Sequence, residues 1–241
     1  MVITSEVIKL RSLRSNVWLL VVAAASILLL GPIQSVGQIV PGAERSDDTP
    51  IGLALTGASL ATLLAGVLGV LTVTGEYAPR SIRTTFTLVP RRERVVLAKA
   101  VALAGATALA GTVAVAVAVP ASLAILGSAG IDAGPVPEAV RASAAMIWYL
   151  VGWGVLGQVA GWVTRSKIGG AALLVGVMTV LPLVLSLLPG RVGEILPALM
   201  PSSAGSAMIG ADHALMGFLL WTAYLVGFTA LSAWLVSRRD A

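Results

Sequence analysis

The sequence predicts an all-α protein that spans a membrane with six helices. Six long segments without a charged residue occupy most of the 241 positions, and they cover residues 15–43, 49–75, 100–131, 142–164, 168–190 and 214–237. Each exceeds the run of about 20 apolar residues that a helix needs to cross roughly 30 Å of hydrocarbon. The chain is 57% hydrophobic and 11% charged, whereas a soluble domain carries about 25% charged residues.

The basic residues predict that both termini and the even-numbered connections lie in the cytoplasm. Of the 16 Lys and Arg residues, only Arg45, Arg141 and Arg191 fall in the odd-numbered connections. Positive residues resist translocation and therefore stay on the cytoplasmic side. Seven acidic residues show the opposite bias: Glu44, Asp47, Asp48, Asp132, Glu138, Glu194 and Asp212. The net charge of +5 thus reflects orientation in the membrane, and we expect no nucleic-acid partner.

Residues 1–16 predict an amphipathic helix in the membrane interface. Apolar residues recur at helical spacing at Ile3, Val7, Leu10 and Leu13. Charged residues occupy other positions of the same segment: Glu6, Lys9, Arg11 and Arg14. Such a helix lies with its apolar side in the membrane and its basic side toward anionic headgroups. A basic flank that only sets topology is the alternative. The apolar run that follows is too long for a cleaved signal peptide, so we expect a retained span.

The six predicted spans cover residues 17–33, 51–74, 95–126, 142–163, 168–188 and 215–236. The third is so long that it must tilt, bend at Pro120 or project beyond the bilayer. A tight basic turn at 164–167 joins the fourth and fifth spans. No connection is large enough to fold independently, so residues 1–241 are expected to form a single membrane domain.

Small residues recur at every fourth position in three spans, and this pattern favours close helix packing. They are Gly57, Ala61, Ala65 and Gly69 in span two, Ala98, Ala102, Ala106, Ala110, Ala114 and Ala118 in span three, and Gly157 and Gly161 in span four. Helices associate in lipid through close backbone approach, which small residues permit. Packing within the subunit is the preferred interpretation, and a subunit interface is the alternative.

The chemistry-bearing residues argue against an enzyme. The chain has no cysteine and one histidine, His213, so thiolate sites, His-rich metal sites and a Ser-His triad are excluded. No span carries a charged residue in its middle, which disfavours a transporter driven by protons or sodium. No phosphate-binding loop of the G-x-x-x-x-G-K-[ST] type occurs in the sequence. The chain therefore does not bind ATP through such a loop. We expect no cofactor in this chain.

The hydroxyl side chains of spans two and five have two interpretations. They are Thr56, Ser59, Thr62, Thr179 and Ser186. Hydroxyl groups in a membrane protein can satisfy one another across helices at modest cost. They can also line a pathway for an amphiphilic cargo, which makes these five residues candidates for pathway lining.

The connection after span two is both basic and apolar. It carries arginines from Arg80 to Arg92 but also Ile82, Phe86 and Val89, which a loop serving only topology does not need. A short helix over 79–88 would have proline in its first turn and would expose Ile82 and Phe86 together. Such a helix could insert an apolar knob into a groove on a cytoplasmic partner, with arginines pairing at the rim.

The same segment resembles the signature of the type-2 ABC exporter permeases, G-E-Y-x-x-G-[TS]-I-R-x-[TS]-L/F-x-x-x-P-x-R. Here it begins Gly75-Glu76-Tyr77 and continues with Ser81-Ile82-Arg83-Thr84-Thr85-Phe86 and Pro90-Arg91-Arg92. The basic amphipathic start, the six spans, the Thr164-Arg165-Ser166 turn and the Arg-Arg-Asp ending also match that family. Arg80 departs from the pattern, since the family usually has glycine there.

The resemblance implies a cytoplasmic coupling loop over 76–94 that docks on a separate ATPase subunit. Carried over by position, its contacts are Glu76, Tyr77, Ile82, Arg83, Thr84 and Phe86. ATP, magnesium and hydrolysis would then belong to the ATPase, present in two copies. A second permease copy or a related permease would complete a pathway lined by spans two and five. The outer segment 191–213 resembles short re-entrant helices, with Ile195, Leu196, Leu199, Met200, Met208 and Ile209.

These expectations describe a multi-pass permease of a bacterial cell membrane, surrounded by lipids. Its apolar, uncharged spans favour export of a hydrophobic or amphiphilic compound, such as a drug, a lipid or a peptide antibiotic. The alternative is a non-transporting scaffold or sensor that anchors a cytoplasmic ATPase or regulatory partner through the same loop.

Overall fold

A computed structural model describes residues 2–40, 46, 48–77, 92–132, 134–210 and 213–238. The described residues form helices and no strand. Six of these helices are long and apolar enough to cross a membrane, which confirms the predicted fold class. The side each terminus faces stays a prediction.

The described residues form ten helices. They are α1 (Val2–Ser12), α2 (Arg14–Ile39), α3 (Pro50–Ala54), α4 (Ala58–Tyr77), α5 (Arg92–Ser128), α6 (Val136–Thr164), α7 (Lys167–Ser186), α8 (Arg191–Ala198), α9 (Pro201–Ile209) and α10 (Ala214–Arg238). The predicted spans one to six correspond to α2, α4, α5, α6, α7 and α10. Within α7, the segment Gly176–Val180 is π-helical.

The second span differs from its prediction because it is not one helix from residue 51. The side chain of Thr49 accepts a hydrogen bond from the Gly52 N–H and caps the short helix α3. The chain then turns before α4 begins at Ala58. The turn lies against α2: a Cβ atom on Gly57 would lie 2.0 Å from the carbonyl oxygen of Ser26, and the Ser26 hydroxyl donates to the Gly57 carbonyl. This contact between helices shortens the second span.

Helices α2, α5 and α6 extend beyond the predicted spans one, three and four. Helix α2 continues through Pro32 to Ile39, because proline is tolerated in membrane helices where neighbours satisfy the freed backbone. Helix α5 runs unbroken for 37 residues with Pro120 inside it. At 1.5 Å per residue it is about 55 Å long, well beyond the hydrocarbon thickness.

The small-residue stripes of α4 and α6 pack on each other inside the subunit. A Cβ atom on Gly157 would lie 1.9 Å from the carbonyl oxygen of Gly66, and one on Gly69 would lie 2.0 Å from that of Gly154. The two backbones therefore approach to direct contact. In α5 the alanine ladder is likewise buried at both ends: Ala98, Ala102, Ala114 and Ala118.

The segment 191–213 contains two short helices at the end of the bundle opposite α1. No residue of α8 is buried, whereas α9 buries Met208. The guanidinium of Arg141 donates hydrogen bonds to the carbonyls of Met208 and Ile209, at 3.0 and 3.1 Å. It caps the C-terminus of α9, where cations complement the helix dipole. Entry of this segment into the membrane stays a prediction.

Candidate functional site

Four charged side chains meet where α1, the last turn of α4 and the start of α5 converge. We call Glu6, Lys9, Glu76 and Lys99 the ion-pair cluster. The ammonium of Lys99 lies 2.6 Å from a carboxylate oxygen of Glu6 and 2.7 Å from one of Glu76. Lys9 contacts the same two carboxylates at 2.8 and 3.0 Å. The cluster joins three elements that are distant in sequence.

The ion-pair cluster is deeply buried on one side. The exposed fractions of its side chains are 3% for Lys99, 4% for Glu6, 14% for Glu76 and 42% for Lys9. Buried charges are tolerated only when they are paired and hydrogen-bonded. Two carboxylates and two ammonium groups satisfy this requirement with no net charge. The cluster is therefore one electrostatic unit, in which each charge depends on the others.

Lys9 is the member of the cluster that faces solvent, and it lies on α1 outside the spans. Partial burial lowers the pKa of Lys9, but hydrogen bonds from its ammonium to Glu6 and Glu76, and their charges, outweigh that effect. The net result is a pKa above the ordinary value. Lys9 thus stays charged throughout the physiological pH range.

The side chain of Gln158 ties α6 to the same region. Its amide nitrogen donates to the backbone carbonyl of Lys99 at 3.0 Å and to the hydroxyl of Thr72 at 3.2 Å. The Lys99 ammonium in turn donates to the carbonyl of Thr72 at 3.3 Å. Helices α4, α5 and α6 are therefore joined at the level of the ion-pair cluster.

A second group of side chains lies beside the cluster, and we call Tyr77, Trp162 and Arg165 the aromatic clamp. The rings of Tyr77 and Trp162 meet edge to face, with centroids 6.2 Å apart. The guanidinium of Arg165 lies 5.5 Å from the centroid of the Tyr77 ring, within the range of a cation–π contact. Tyr77 ends α4, and Arg165 lies in the turn between α6 and α7. The clamp therefore connects two turns of the bundle.

The structure places two of the six predicted coupling residues in these groups. Glu76 belongs to the ion-pair cluster and Tyr77 to the aromatic clamp. Ile82, Arg83, Thr84 and Phe86 lie outside the described residues, as does the predicted helix over 79–88. Glu76 and Tyr77, which precede the loop, thus contact α1, α5, α6 and the turn after α6.

Sequence reasoning missed the partners of Glu76 and Tyr77. It counted Lys99 only among the basic residues of the cytoplasmic side and Glu6 as one charge among several on the first helix. The sequence contained one indication of these partners. Only four of the 11 acidic residues fall on the predicted cytoplasmic side, where most basic residues lie: Glu6, Glu76, Glu93 and Asp240. Two of those four are the carboxylates of the ion-pair cluster. Nothing in the sequence pattern points to Gln158 or Trp162.

The predicted pathway residues differ in their exposure. In the second span, Ser59 is exposed, Thr56 is half-buried and Thr62 is buried. Their hydroxyls donate to backbone carbonyls one turn earlier in the same chain segment. In α7, Thr179 and Ser186 are exposed. Pathway lining by these five residues stays a prediction.

An apolar cleft lies between α6, α7 and α10. Its volume is about 190 Å³, and its walls include Trp153, Leu174 and Phe228. Almost all of its surface is apolar, so it suits an apolar occupant better than a charged one.

A comparison with protein families matches the chain over nearly its full length. The model of the family described as "ABC-2 family transporter protein" matches residues 4–241. The matched region includes all six long helices and every residue of the ion-pair cluster and the aromatic clamp. The comparison with curated proteins found no match.

Proposed function

Because the chain belongs to the ABC-2 transporter family, we propose that it is the permease subunit of an ATP-driven exporter. Members of this family are membrane subunits of transporters and are not themselves catalytic. In the proposal, the loop over 76–94 docks on a separate ATPase subunit in the cytoplasm. ATP and magnesium bind to that partner, and its closure moves the helices of the permease.

The contact between Lys99 and Glu76, 2.7 Å long, is the observation that carries the proposal. Glu76 lies in the last turn before the loop, and Lys99 lies near the start of α5, which follows it. Glu6 of α1 holds Lys99 from the other side at 2.6 Å. A force applied to the loop therefore acts on α1, α4 and α5 together, as a coupling element requires.

The composition of the helices supports an apolar cargo. The spans carry no charged residue in their middle, and the cleft beside α7 is apolar. Both features favour a hydrophobic or amphiphilic compound, such as a drug, a lipid or a peptide antibiotic. In the assembly we propose, two permease subunits enclose the pathway, and two ATPase subunits bind their loops. The basic end of the bundle faces the cytoplasm of a bacterial cell, since positive residues resist translocation.

Co-purification with the proposed ATPase subunit tests the docking loop. The double variant Arg83→Glu, Phe86→Ala should abolish binding and the ATP turnover of the complex, because it reverses a rim charge and removes the apolar knob. The matched control is Arg191→Glu, Leu187→Ala, which makes the same kinds of change at the opposite end. The control should bind normally. Normal binding by the loop variant would contradict the proposal.

Transport by the reconstituted complex separates an exporter from a scaffold. Vesicles that contain the permease and its ATPase should move a fluorescent lipophilic probe in an ATP-dependent manner. A scaffold would bind the ATPase through the same loop but would leave the probe where it was. That result would favour the sensor or scaffold interpretation.

A further inference from the structure

We propose that Arg165 is a positioning residue that links the loop between α4 and α5 to the tilt of α7. The inference rests on the proposed ATPase coupling and names a route by which loop movement reaches α7. It is carried by the backbone of Arg165, by its contact with Tyr77 and by the way α7 is packed.

The backbone of Arg165 has a conformation that glycine would adopt more easily. Its φ is 52°, and its N–H donates to the carbonyl of Gly161 at 2.9 Å. This is a left-handed helix cap, a position where glycine is favoured because a Cβ atom is strained there. An arginine at this position is therefore not explained by the turn. Strained backbone that a structure retains points to a role for the side chain.

The side chain of Arg165 reaches the last residue before the loop. Its guanidinium lies over the ring of Tyr77, at 5.5 Å from the centroid, and the same ring meets the buried Trp162 edge to face. Tyr77 follows Glu76, whose carboxylate belongs to the ion-pair cluster. A displacement of the loop therefore moves Tyr77, and Tyr77 acts on the turn that begins α7.

Helix α7 is anchored at the end that this turn controls. Ser166 caps it by accepting a hydrogen bond from the Gly169 N–H at 3.2 Å. Leu174 packs on Gly66 of α4, whereas no residue from Gly176 to Ser186 is buried. Its 20 residues span about 30 Å. A small rotation at the turn thus becomes a larger displacement at Leu187.

A single cysteine can report this displacement, because the chain contains none of its own. Leu187 lies just beyond α7 with 77% of its surface exposed. In the complex of the Leu187→Cys chain with its ATPase, in lipid nanodiscs, the measurement is the rate of labelling by a water-soluble maleimide. We expect ATP with magnesium to change this rate about fivefold or more, the lower end of ordinary allosteric couplings.

The variant Arg165→Gly separates coupling from folding. It removes the side chain while giving the turn the residue that its backbone favours, so the complex should assemble and hydrolyse ATP. The ATP-dependent change in labelling should be lost. Arg165→Lys keeps the charge but not the planar guanidinium, and it should show an intermediate change. Lys167→Ala, an exposed basic residue of the same turn, is the matched control and should keep the full change.

The possible outcomes are distinguishable. A parent complex that neither binds its ATPase nor hydrolyses ATP would overturn the proposed function itself. A parent complex that hydrolyses ATP without any labelling change at Leu187→Cys would overturn the role of α7. A full labelling change in Arg165→Gly would overturn the role of Arg165. Loss of the change in Arg165→Gly, with the Lys167→Ala control unaffected, supports the inference.

Discussion

Helices α4 and α7 are both expected to line a transport pathway, yet the subunit covers them to very different extents. In α4, 61% of the most apolar stretch is buried, and in α7 the value is 11%. Neighbouring backbones approach the glycines of α4 to direct contact, and the ion-pair cluster holds its last turn. The comparison indicates that α4 is packed with its neighbours into one unit, so that a movement of its last turn involves α1 and α5 as well, whereas α7 is attached mainly at the end that follows Arg165.

The strongest test of this packing around α4 removes the buried ammonium of Lys99. Lys99→Met leaves the carboxylates of Glu6 and Glu76 buried without their closest cation, and breaking a buried ion pair in this way costs about 3–5 kcal/mol. Thermal or denaturant unfolding in detergent should show this loss. Lys167→Met, an exposed lysine at the same end, should change stability by less than about 0.5 kcal/mol. Equal stability of the two variants would contradict the burial of the cluster.

A pair of glycine substitutions compares the two helices directly. Gly69→Ala in α4 places a Cβ atom 2.0 Å from the carbonyl oxygen of Gly154, and such overpacking costs about 1–3 kcal/mol. Gly176→Ala in α7 meets nothing within 4 Å and should leave stability unchanged or slightly raised. The unfolding free energies of both variants in detergent provide the measurement. A destabilised Gly176→Ala would show that α7 is packed more tightly than described.

Replacement of Gln158 should have a smaller effect. Gln158→Leu keeps the volume but removes the hydrogen bonds to the carbonyl of Lys99 and the hydroxyl of Thr72. A hydrogen bond of this kind contributes about 1 kcal/mol net. For the two bonds together, the same unfolding measurement should show a loss of about 1–2 kcal/mol. An effect as large as that of Lys99→Met would mean that Gln158, rather than the ion pairs, holds the three helices together.

The smallest effect is expected for Lys9, the exposed member of the cluster. Because exposed ion pairs contribute about 0–1 kcal/mol, Lys9→Ala should lower stability at neutral pH by no more than that. The raised pKa of Lys9 means that its contribution is complete below the pKa of the unfolded chain. It disappears as the pH rises through the folded pKa. Unfolding at increasing pH should bring the parent and Lys9→Ala together, and a gap that widens with pH would contradict this assignment.

The six spans were predictable because the bilayer imposes a long uncharged run on each helix that crosses it. The break between α3 and α4 could not be predicted from the sequence. Residues 55–57 contain no proline, and their turn depends on a contact with Ser26 of α2. Length and charge thus fix which segments are spans, while their ends are set by tertiary contacts.

The candidate site was predictable only in part. Glu76 and Tyr77 were identified through the resemblance of their loop to a family signature. Their partners could not be identified from the sequence. Glu6 and Lys99 are separated by 93 positions, and they pair only when α1, α4 and α5 pack together. The turn that contains Arg165 matched the family, but the role of this side chain could not be predicted, since its left-handed backbone is visible only in the structure.

Photo-crosslinking from the loop between α4 and α5 tests the central claim most directly. A benzophenone maleimide attached to Phe86→Cys, in this otherwise cysteine-free chain, should crosslink to the ATPase subunit in the assembled complex. The same probe on Leu187→Cys, at the opposite end of the bundle, should not. Crosslinks from Phe86→Cys to lipid or to the permease alone, with the ATPase bound, would contradict the account.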